Sequence, residues 1–147
     1  MERGPIIVKS DNYQPALRVV GTNVTVLASE QDTKGQEFTF QSGDEGMGPP
    51  PHSHDWDETF FVTKGSVIIT SGGKTEECMP GTLAFVPGGT IHSFKYGLEG
   101  GEMLEITGVR SAAVKMFTEL SKEIPAGPPD VKKVIAVMGR NGATVHI

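Results

Sequence analysis

The sequence has little of several features that would assign a protein to a class at once. Cys78 is the only cysteine in 147 residues, so no disulfide can form within the chain, and nothing points to an oxidising compartment. No segment approaches the ~18 apolar residues of a membrane span, and the apolar run in the opening MERGPIIVK is too short for a signal peptide. Lysine and arginine form no cluster, and the formal net charge is −5. We therefore expect a cytoplasmic protein that binds neither membranes nor nucleic acid and whose partner is a small molecule.

The chain is instead rich in residues that turn the backbone, with 19 glycines and 10 prolines. Its length suits a single domain, residues 1–147. Short β-like runs recur between turn signals such as Lys64–Gly65, a spacing typical of a sandwich or barrel. We expect an all-β barrel core from about residue 19 to residue 107. The runs are VTVLA (24–28), EFTFQ (37–41), TFFVT (59–63), SVIIT (66–70), TLAFV (82–86), HSFKY (92–96) and MLEIT (103–107).

The pattern changes to helical spacing after Ser111, which we predict to be the N-cap of an amphipathic helix. Asp130 is placed to cap a second helix, and Gly139 or Asn141–Gly142 would end it. This predicts a C-terminal helical segment of about residues 111–140 that covers the barrel mouth. The apolar positions of the first helix are Ala113, Met116, Phe117, Leu120 and Ile124.

Two of the four histidines stand one residue apart in PPPHSHDWDETFF, directly after three prolines. Proline fixes φ near the extended range, so the chain reaches His52 already extended. Side chains two residues apart on a strand point to the same face, which His52, His54 and Glu58 would therefore share. The sequence predicts that two imidazoles and a carboxylate converge, as a metal-binding set of nitrogen and oxygen ligands does.

The stretch GTLAFVPGGTIHSFKY carries the third internal histidine. His92, Phe94 and Tyr96 share one parity, and the Pro87–Gly88–Gly89 turn precedes them. We expect the strands 82–86 and 92–96 to pair as a hairpin with His92 inward. If this hairpin packs beside the first histidine segment, His92 completes a set of three histidines and one carboxylate.

These two stretches resemble the two motifs of the metal-binding cupins. The second motif usually ends in Asn, but Tyr96 stands there in this chain, a departure that concerns a pocket contact more than the metal. The segments WDETFFVTKGSVII and PPDVKKVIAVMGRNGATV extend the resemblance to single-domain cupins related to quercetin 2,3-dioxygenases. Gly46, His52, His54, Glu58 and Gly65 match G-x5-H-x-H-x3-E-x6-G, and Gly81, Pro87, Gly89 and His92 match G-x5-P-x-G-x2-H.

The resemblance implies a double-stranded β-helix, or jelly-roll, barrel that binds one divalent transition metal ion (Fe, Mn, Ni, Co, Cu or Zn) and forms a homodimer. The metal ligands would be His52, His54, Glu58 and His92, with Glu58 as ligand, catalytic base or both. A substrate pocket is predicted from same-face aromatic and apolar residues, although the same residues equally suit the filling of a small barrel. The pocket residues are Phe38, Phe40, Phe60, Val62, Phe94 and Tyr96.

Five further residues carry expectations of their own. Asp55 and Asp57 have the opposite parity and are expected outward in solvent, with a hydrogen bond to a ligand histidine left open. Glu105 is expected outward, and would become a second acid or base if it faced inward. His146 is expected in solvent, and Cys78 as a small buried hydrophobe.

Three functions fit these residues. The first is a metal-dependent dioxygenase that oxidises or cleaves a flavonol-like or other oxygenated aromatic compound, as the related enzymes do. The second is a redox-silent Lewis-acid enzyme that isomerises, cyclises or eliminates. The third is a barrel that binds a small molecule without catalysis, because the fold alone does not determine a reaction.

Overall fold

The computed structural model describes residues 3–147 as nine β-strands, three α-helices and one short 3-10 turn. The predicted all-β architecture with two C-terminal helices is confirmed. The strands are β1 (Leu17–Val19), β2 (Thr22–Ala28), β3 (Glu37–Gly43), β4 (His52–Ser53), β5 (Glu58–Ser71), β6 (Lys74–Cys78), β7 (Leu83–Val86), β8 (His92–Thr107) and β9 (Thr144–Val145). The helices are α1 (Glu30–Thr33), α2 (Ala113–Glu123) and α3 (Val131–Arg140), and the 3-10 turn is Ser10–Asn12.

Two long strands, β5 and β8, run antiparallel from the pair Glu58–Thr107 to the pair Ser71–His92. The sequence predicted four separate strands here, with a chain reversal at Lys64–Gly65. That reversal is wrong, because the chain continues through a β-bulge at this point. Gly65 has φ +60°, and a Cβ atom there would lie 2.1 Å from the carbonyl oxygen of Gly100. The bulge therefore requires glycine for two reasons, its backbone angle and the close approach of β8.

The expected hairpin between residues 82–86 and 92–96 is also wrong. Strand β7 pairs with β5, from Glu58–Val86 to Phe61–Leu83, and not with β8. The predicted inward position of His92 is correct nonetheless, because β8 begins at His92 and pairs there with His52 of β4. One end of β8 thus joins both histidine motifs within the curled antiparallel sheet.

The interior is divided into two apolar clusters. One lies among β5, β6, β7 and β8, which we call the closed half of the barrel. The other lies between β1, β2 and the C-terminal helices. Cys78 is buried in the first cluster, as expected. The first cluster contains Phe60, Val62, Val67, Ile69, Cys78, Val86, Phe94, Tyr96 and Met103, and the second contains Val19, Val24, Trp56, Ala113, Met116, Phe117, Leu120, Ile124, Val134, Val137, Met138 and Ala143.

Helices α2 and α3 bury the apolar faces that their spacing predicts. The Asp130 side chain accepts a hydrogen bond from the Lys133 backbone N–H at 3.3 Å, so the predicted cap of α3 is confirmed. The N-cap of α2 is Ala112, so the predicted N-cap Ser111 is wrong by one residue. Ser111 Oγ nonetheless accepts from the Ala113 N–H, and Glu37 Oε1 of β3 accepts from the Val114 N–H, both at 3.0 Å. Glu37 thereby ties α2 to the sheet. No helix in residues 3–147 is long and apolar enough to cross a membrane.

Candidate metal centre and substrate cavity

The three internal histidines lie together at the open end of the barrel, on β4, on the loop that follows it and on the first residue of β8. In each one the Nδ1 atom bonds a backbone carbonyl two residues away: Pro50 for His52 at 2.8 Å, Trp56 for His54 at 3.0 Å, and Thr90 for His92 at 2.8 Å. A carbonyl oxygen accepts only, so Nδ1 carries the proton. The Nε2 lone pair of each ring is therefore free to bind a cation.

Two of the three Nε2 atoms lie against the carboxylate of Glu58. His54 Nε2 lies 3.2 Å from Oε1 and His92 Nε2 lies 2.8 Å from Oε2. Ligand atoms from His52, His54 and His92 all lie within 4.8 Å of one another, and all four side chains are buried. A lone pair that faces a carboxylate at these distances is repelled unless a proton or a metal cation lies between the two atoms. The predicted set of three histidines and Glu58 is thus brought together, and its donor atoms fit a borderline divalent metal ion.

The ionisation of this cluster follows from burial and mutual contact. Burial raises the pKa of Glu58, but its hydrogen bonds to His54 and His92 outweigh this and leave the pKa well below its usual range. Burial, assisted by the neighbouring His92, lowers the pKa of His52 to about 4. Burial also lowers the pKa of His92, but the contact with Glu58 is stronger and raises it above its ordinary value of 6.5. The cluster therefore presents an ionised carboxylate at neutral pH, with His92 as its proton-holding partner.

Glu105 faces inward, and the expectation of a solvated side chain is wrong. It is 3% exposed, and Thr39 Oγ1 donates a hydrogen bond to its Oε1 at 3.3 Å. Burial first, and then the adjacent Glu58 carboxylate, raise the pKa of Glu105 well above the ordinary range. A second carboxyl group, which holds its proton more strongly than an ordinary carboxyl group, thus lies against the first.

The two histidine motifs are joined through their loops. The Gly88 N–H donates to Asp57 Oδ1 and the Gly89 N–H donates to the His54 carbonyl, both at 2.8 Å. A Cβ atom on Gly88 would lie 2.2 Å from the Asp55 carbonyl oxygen, so only glycine permits this approach. Asp55 and Asp57 are exposed as expected, but Asp57 also ties one motif to the other.

Two aromatic side chains near the histidines have roles that the sequence reasoning missed. Trp56 is buried and stacks on His54, with ring centroids 4.1 Å apart and planes 6° from parallel. His146 is exposed as expected, yet its Nε2 lies 2.7 Å from Ser53 Oγ, and its backbone N–H donates to the Pro51 carbonyl. Strand β9 therefore lies along the segment that carries His52, and the pairing His52–Val145 marks the contact.

A cavity of about 80 Å³ extends from the histidine cluster to the underside of α2 and α3. Of the predicted pocket residues, Phe94 lines it, whereas Phe60, Val62 and Tyr96 are packed in the closed half of the barrel. The alternative expectation, that such residues fill the barrel, applies to those three. The lining is Val19, Val20, Thr22, Val24, Gln41, Gly48, Pro49, Pro50, His52, Glu58, Phe94, Glu105, Met116, Phe117, Leu120, Val134 and Met138.

Phe38 and Phe40 lie on the outer face of β3, so their assignment to the pocket is wrong. Both are half-buried, and the ring centroid of Phe40 is 6.2 Å from that of Tyr13. The inward positions of this strand are polar instead: Glu37, Thr39 and Gln41. Strand alternation gave the correct grouping of residues but not which group faces the interior.

Residues 36–107 match the family described as Cupin domain. Together with the curled antiparallel sheet and the histidine cluster, this match identifies a cupin domain in the chain, and one that resembles quercetin 2,3-dioxygenase. The quercetin 2,3-dioxygenase of Bacillus subtilis (strain 168) is 29% identical over 72 residues, which are 48% of this chain and 21% of that protein. The chain thus spans about a fifth of that relative.

Solved structures agree on the fold. The polyketide cyclase RemF from Streptomyces resistomycificus superimposes with a TM-score of 0.63 at 24% identity, over 71% of this chain and 80% of that one. An RmlC-like cupin from Shewanella frigidimarina NCIMB 400 gives a TM-score of 0.67 at 15% identity, over 78% and 99%. At these identities the likeness concerns the cupin fold alone.

Proposed function

We propose that this chain is a metal-dependent dioxygenase that oxidises or cleaves a small oxygenated aromatic compound. The observation that carries the proposal is the cluster of three buried histidines, two of which contact Glu58, at one end of a mostly apolar cavity. The resemblance to quercetin 2,3-dioxygenase supports the same class of chemistry. The chain's own residues supply three things: a metal site, a base and a dry apolar wall.

His52, His54 and His92 would hold the metal ion together with Glu58. When bound, a divalent Fe, Mn, Ni, Co or Cu ion supplies Lewis acidity toward a substrate oxygen and electron transfer toward dioxygen. The backbone carbonyls at Nδ1 fix each ring in one tautomer and orientation.

Glu58 is the group that would accept the substrate's hydroxyl proton. It is ionised at neutral pH because its contacts with His54 and His92 lower its pKa. It lines the cavity beside His52, so a hydroxyl group bound there lies within reach. Phe94 and the underside of α2, through Met116 and Leu120, exclude water from that position.

The size of the cavity favours a compact substrate. Its volume of about 80 Å³ is far below the ~300–1,000 Å³ of sites for drug-sized ligands. A three-ring flavonol would require α2 and α3 to move away from the barrel. We therefore place single-ring hydroxylated compounds ahead of flavonols as substrates.

A second candidate function rests on Glu105. A protonated carboxyl group against an ionised one is an acid and base pair. Such a pair supports isomerisation, cyclisation or elimination with a redox-silent ion, in which Glu58 would remove a proton and Glu105 would return one.

Oxygen consumption separates the two candidates. The experiment is an oxygen electrode trace of protein loaded in turn with Fe, Mn, Ni, Co and Cu, on a panel of dihydroxylated aromatics and flavonols. We expect uptake with at least one pairing of metal and substrate, and none for Glu58→Gln at matched metal content. Turnover of a ligand without oxygen uptake for any of the five metals would transfer the assignment to the acid–base enzyme.

We also propose that the chain forms a homodimer through the outer face of the sheet. Leu83 and Phe85 of the edge strand β7 are 61% and 58% exposed, and Phe61, the partner of Leu83 on β5, is 39% exposed. An exposed apolar patch on an open strand edge is a typical site of association. Light scattering should give the mass of a dimer for the natural chain and of a monomer for Leu83→Glu/Phe85→Glu, with an unchanged circular dichroism spectrum.

A further inference from the structure

The cavity has two unlike walls, and neither carries a positive charge. Helices α2 and α3 contribute only apolar side chains, whereas β3 and β8 contribute Gln41 and Glu105. No lysine or arginine is among the lining residues within the described chain. Away from the histidine cluster, an anionic group on a ligand, such as a carboxylate or phosphate, would meet the Glu105 carboxyl group and no protein cation. The cavity chemistry therefore suits an uncharged molecule.

The polar wall is a continuous row that leads away from the histidine cluster. Glu105 contacts Glu58 at the cluster, and Thr39, its direct partner across β3 and β8, donates to it at 3.3 Å. Gln41 Nε2 then donates to Thr39 Oγ1, also at 3.3 Å. Gln41 stands at the far end of the row, two residues along the same face of β3 and 3% exposed.

The amide of Gln41 is only partly used by the protein. Its hydrogen bonds to Thr39 and to Glu105 both employ the N–H groups. Its one hydrogen bond resolved by geometry runs from Nε2 to Thr39 Oγ1, none of the side-chain hydrogen bonds within residues 3–147 ends on its carbonyl oxygen, and the residue lines the cavity. A buried amide with an unused acceptor on a cavity wall can bind a ligand hydroxyl, and a site built to bind a hydroxyl discriminates against analogues that lack one.

We propose that Gln41 is the specificity-determining residue of this cavity, and that it binds a second hydroxyl group of an uncharged, single-ring substrate whose first oxygen lies at the histidine cluster. This inference rests on the proposed function for the position of the first oxygen. It adds the substrate class: neutral dihydroxylated rings, and not carboxylated or phosphorylated compounds.

The test is binding without turnover. Zn²⁺-loaded protein, which is redox-silent, is titrated anaerobically in a calorimeter with three probes: a dihydroxybenzene, phenol and a hydroxybenzoate. We expect the natural chain to bind the dihydroxybenzene about ten-fold more tightly than phenol, and the hydroxybenzoate more weakly than either. In Gln41→Leu the preference for the second hydroxyl should disappear while phenol affinity is kept. Ser42→Ala, on the opposite face of the same strand, is the matched control and should keep the preference.

Zinc content and melting temperature are measured for every variant, and the unbranched Gln41→Met replaces Gln41→Leu if the latter does not fold. A preference that persists in both Gln41 variants would overturn the proposal. So would equal or tighter binding of the hydroxybenzoate, or no measurable binding of either neutral probe. None of these results depends on dioxygen. A chain that shows the predicted binding but consumes no oxygen retains this inference and loses the dioxygenase assignment.

Discussion

The indole ring of Trp56 lies flat on the imidazole of His54, 4.1 Å from it between ring centroids. The Nε2 atom of the same imidazole lies 3.2 Å from Oε1 of Glu58. One candidate ligand is therefore held between the cluster and the apolar core under the helices, to which Trp56 belongs.

This stack predicts that tryptophan fluorescence reports metal binding. Trp56 is the only tryptophan, so a Cu²⁺ or Ni²⁺ ion on His54 should quench most of the emission through the stacked ring, and Zn²⁺ much less. A fluorescence titration checks this, with His92→Ala as the variant that should lose the response. Full metal occupancy by elemental analysis with unchanged emission would show that the ion binds elsewhere.

Substitutions at the histidines should distinguish the clustered histidines, which we expect to bind the metal ion, from His146, which we do not. His52→Ala and His92→Ala each remove one of the converging Nε2 atoms, and we expect metal affinity to fall by more than the ~10–100-fold that loss of an outer hydrogen-bond partner costs. His146→Ala, whose ring is exposed and bonds Ser53, should retain the metal. Elemental analysis after dialysis is the measurement. Equal metal loss in all three variants would mean that the cluster is not the site.

Metal affinity should depend on pH through His92. The contact with Glu58 raises the pKa of His92 above 6.5. As the pH falls through this raised pKa, protons compete with the metal ion for Nε2, and the metal affinity declines. Above it the affinity should level off. His52, with its pKa lowered to about 4, leaves its lone pair free over the same range. Calorimetry in buffers of different ionisation enthalpy should detect proton release on metal binding, and the release should grow as the pH is lowered toward the pKa of His92; no release at any pH would contradict the raised pKa of His92.

Two glycines with nearly the same backbone angle provide a test of the bulge. Gly65 and Gly72 have φ +60° and +58°, but a Cβ on Gly65 would meet the Gly100 oxygen at 2.1 Å, while one on Gly72 would meet nothing within 4 Å. Gly72→Ala should cost about 1 kcal/mol for the left-handed angle alone. Gly65→Ala should cost a further ~1–3 kcal/mol for the clash. Urea denaturation measures both, and equal costs would show that β8 relaxes away from β5 at no penalty.

The sequence predicted that these side chains cluster, because the prediction needed only local alternation and fixed motif spacing. His52, His54 and Glu58 lie within seven residues, and His92 joins them through a cross-strand pair. The helices could also be predicted from the sequence, since their buried residues repeat at helical spacing.

The residues that line the cavity could not be predicted from the sequence in the same way. Parity along β8 changes between its two halves, because the register shifts between the pairs Gly65–Gly101 and Val67–Tyr96. Phe94 and Glu105 therefore both face inward although one position is even and the other odd. On β3 the inward face is polar, since Glu37 bonds α2 and Thr39 bonds Glu105. Hydrophobicity alone predicts the reverse.

The pairing of β9 with β4 has a consequence for biosynthesis. The His52 strand is two residues long, and its neighbours in the sheet are β8 and β9, forty and more than ninety residues further along the chain. A nascent chain that has left the ribosome only as far as β8 lacks the tail that holds this strand from its other side. The cluster should thus gain its final order only once the segment that contains Val145 has left the ribosome and paired with the His52 strand.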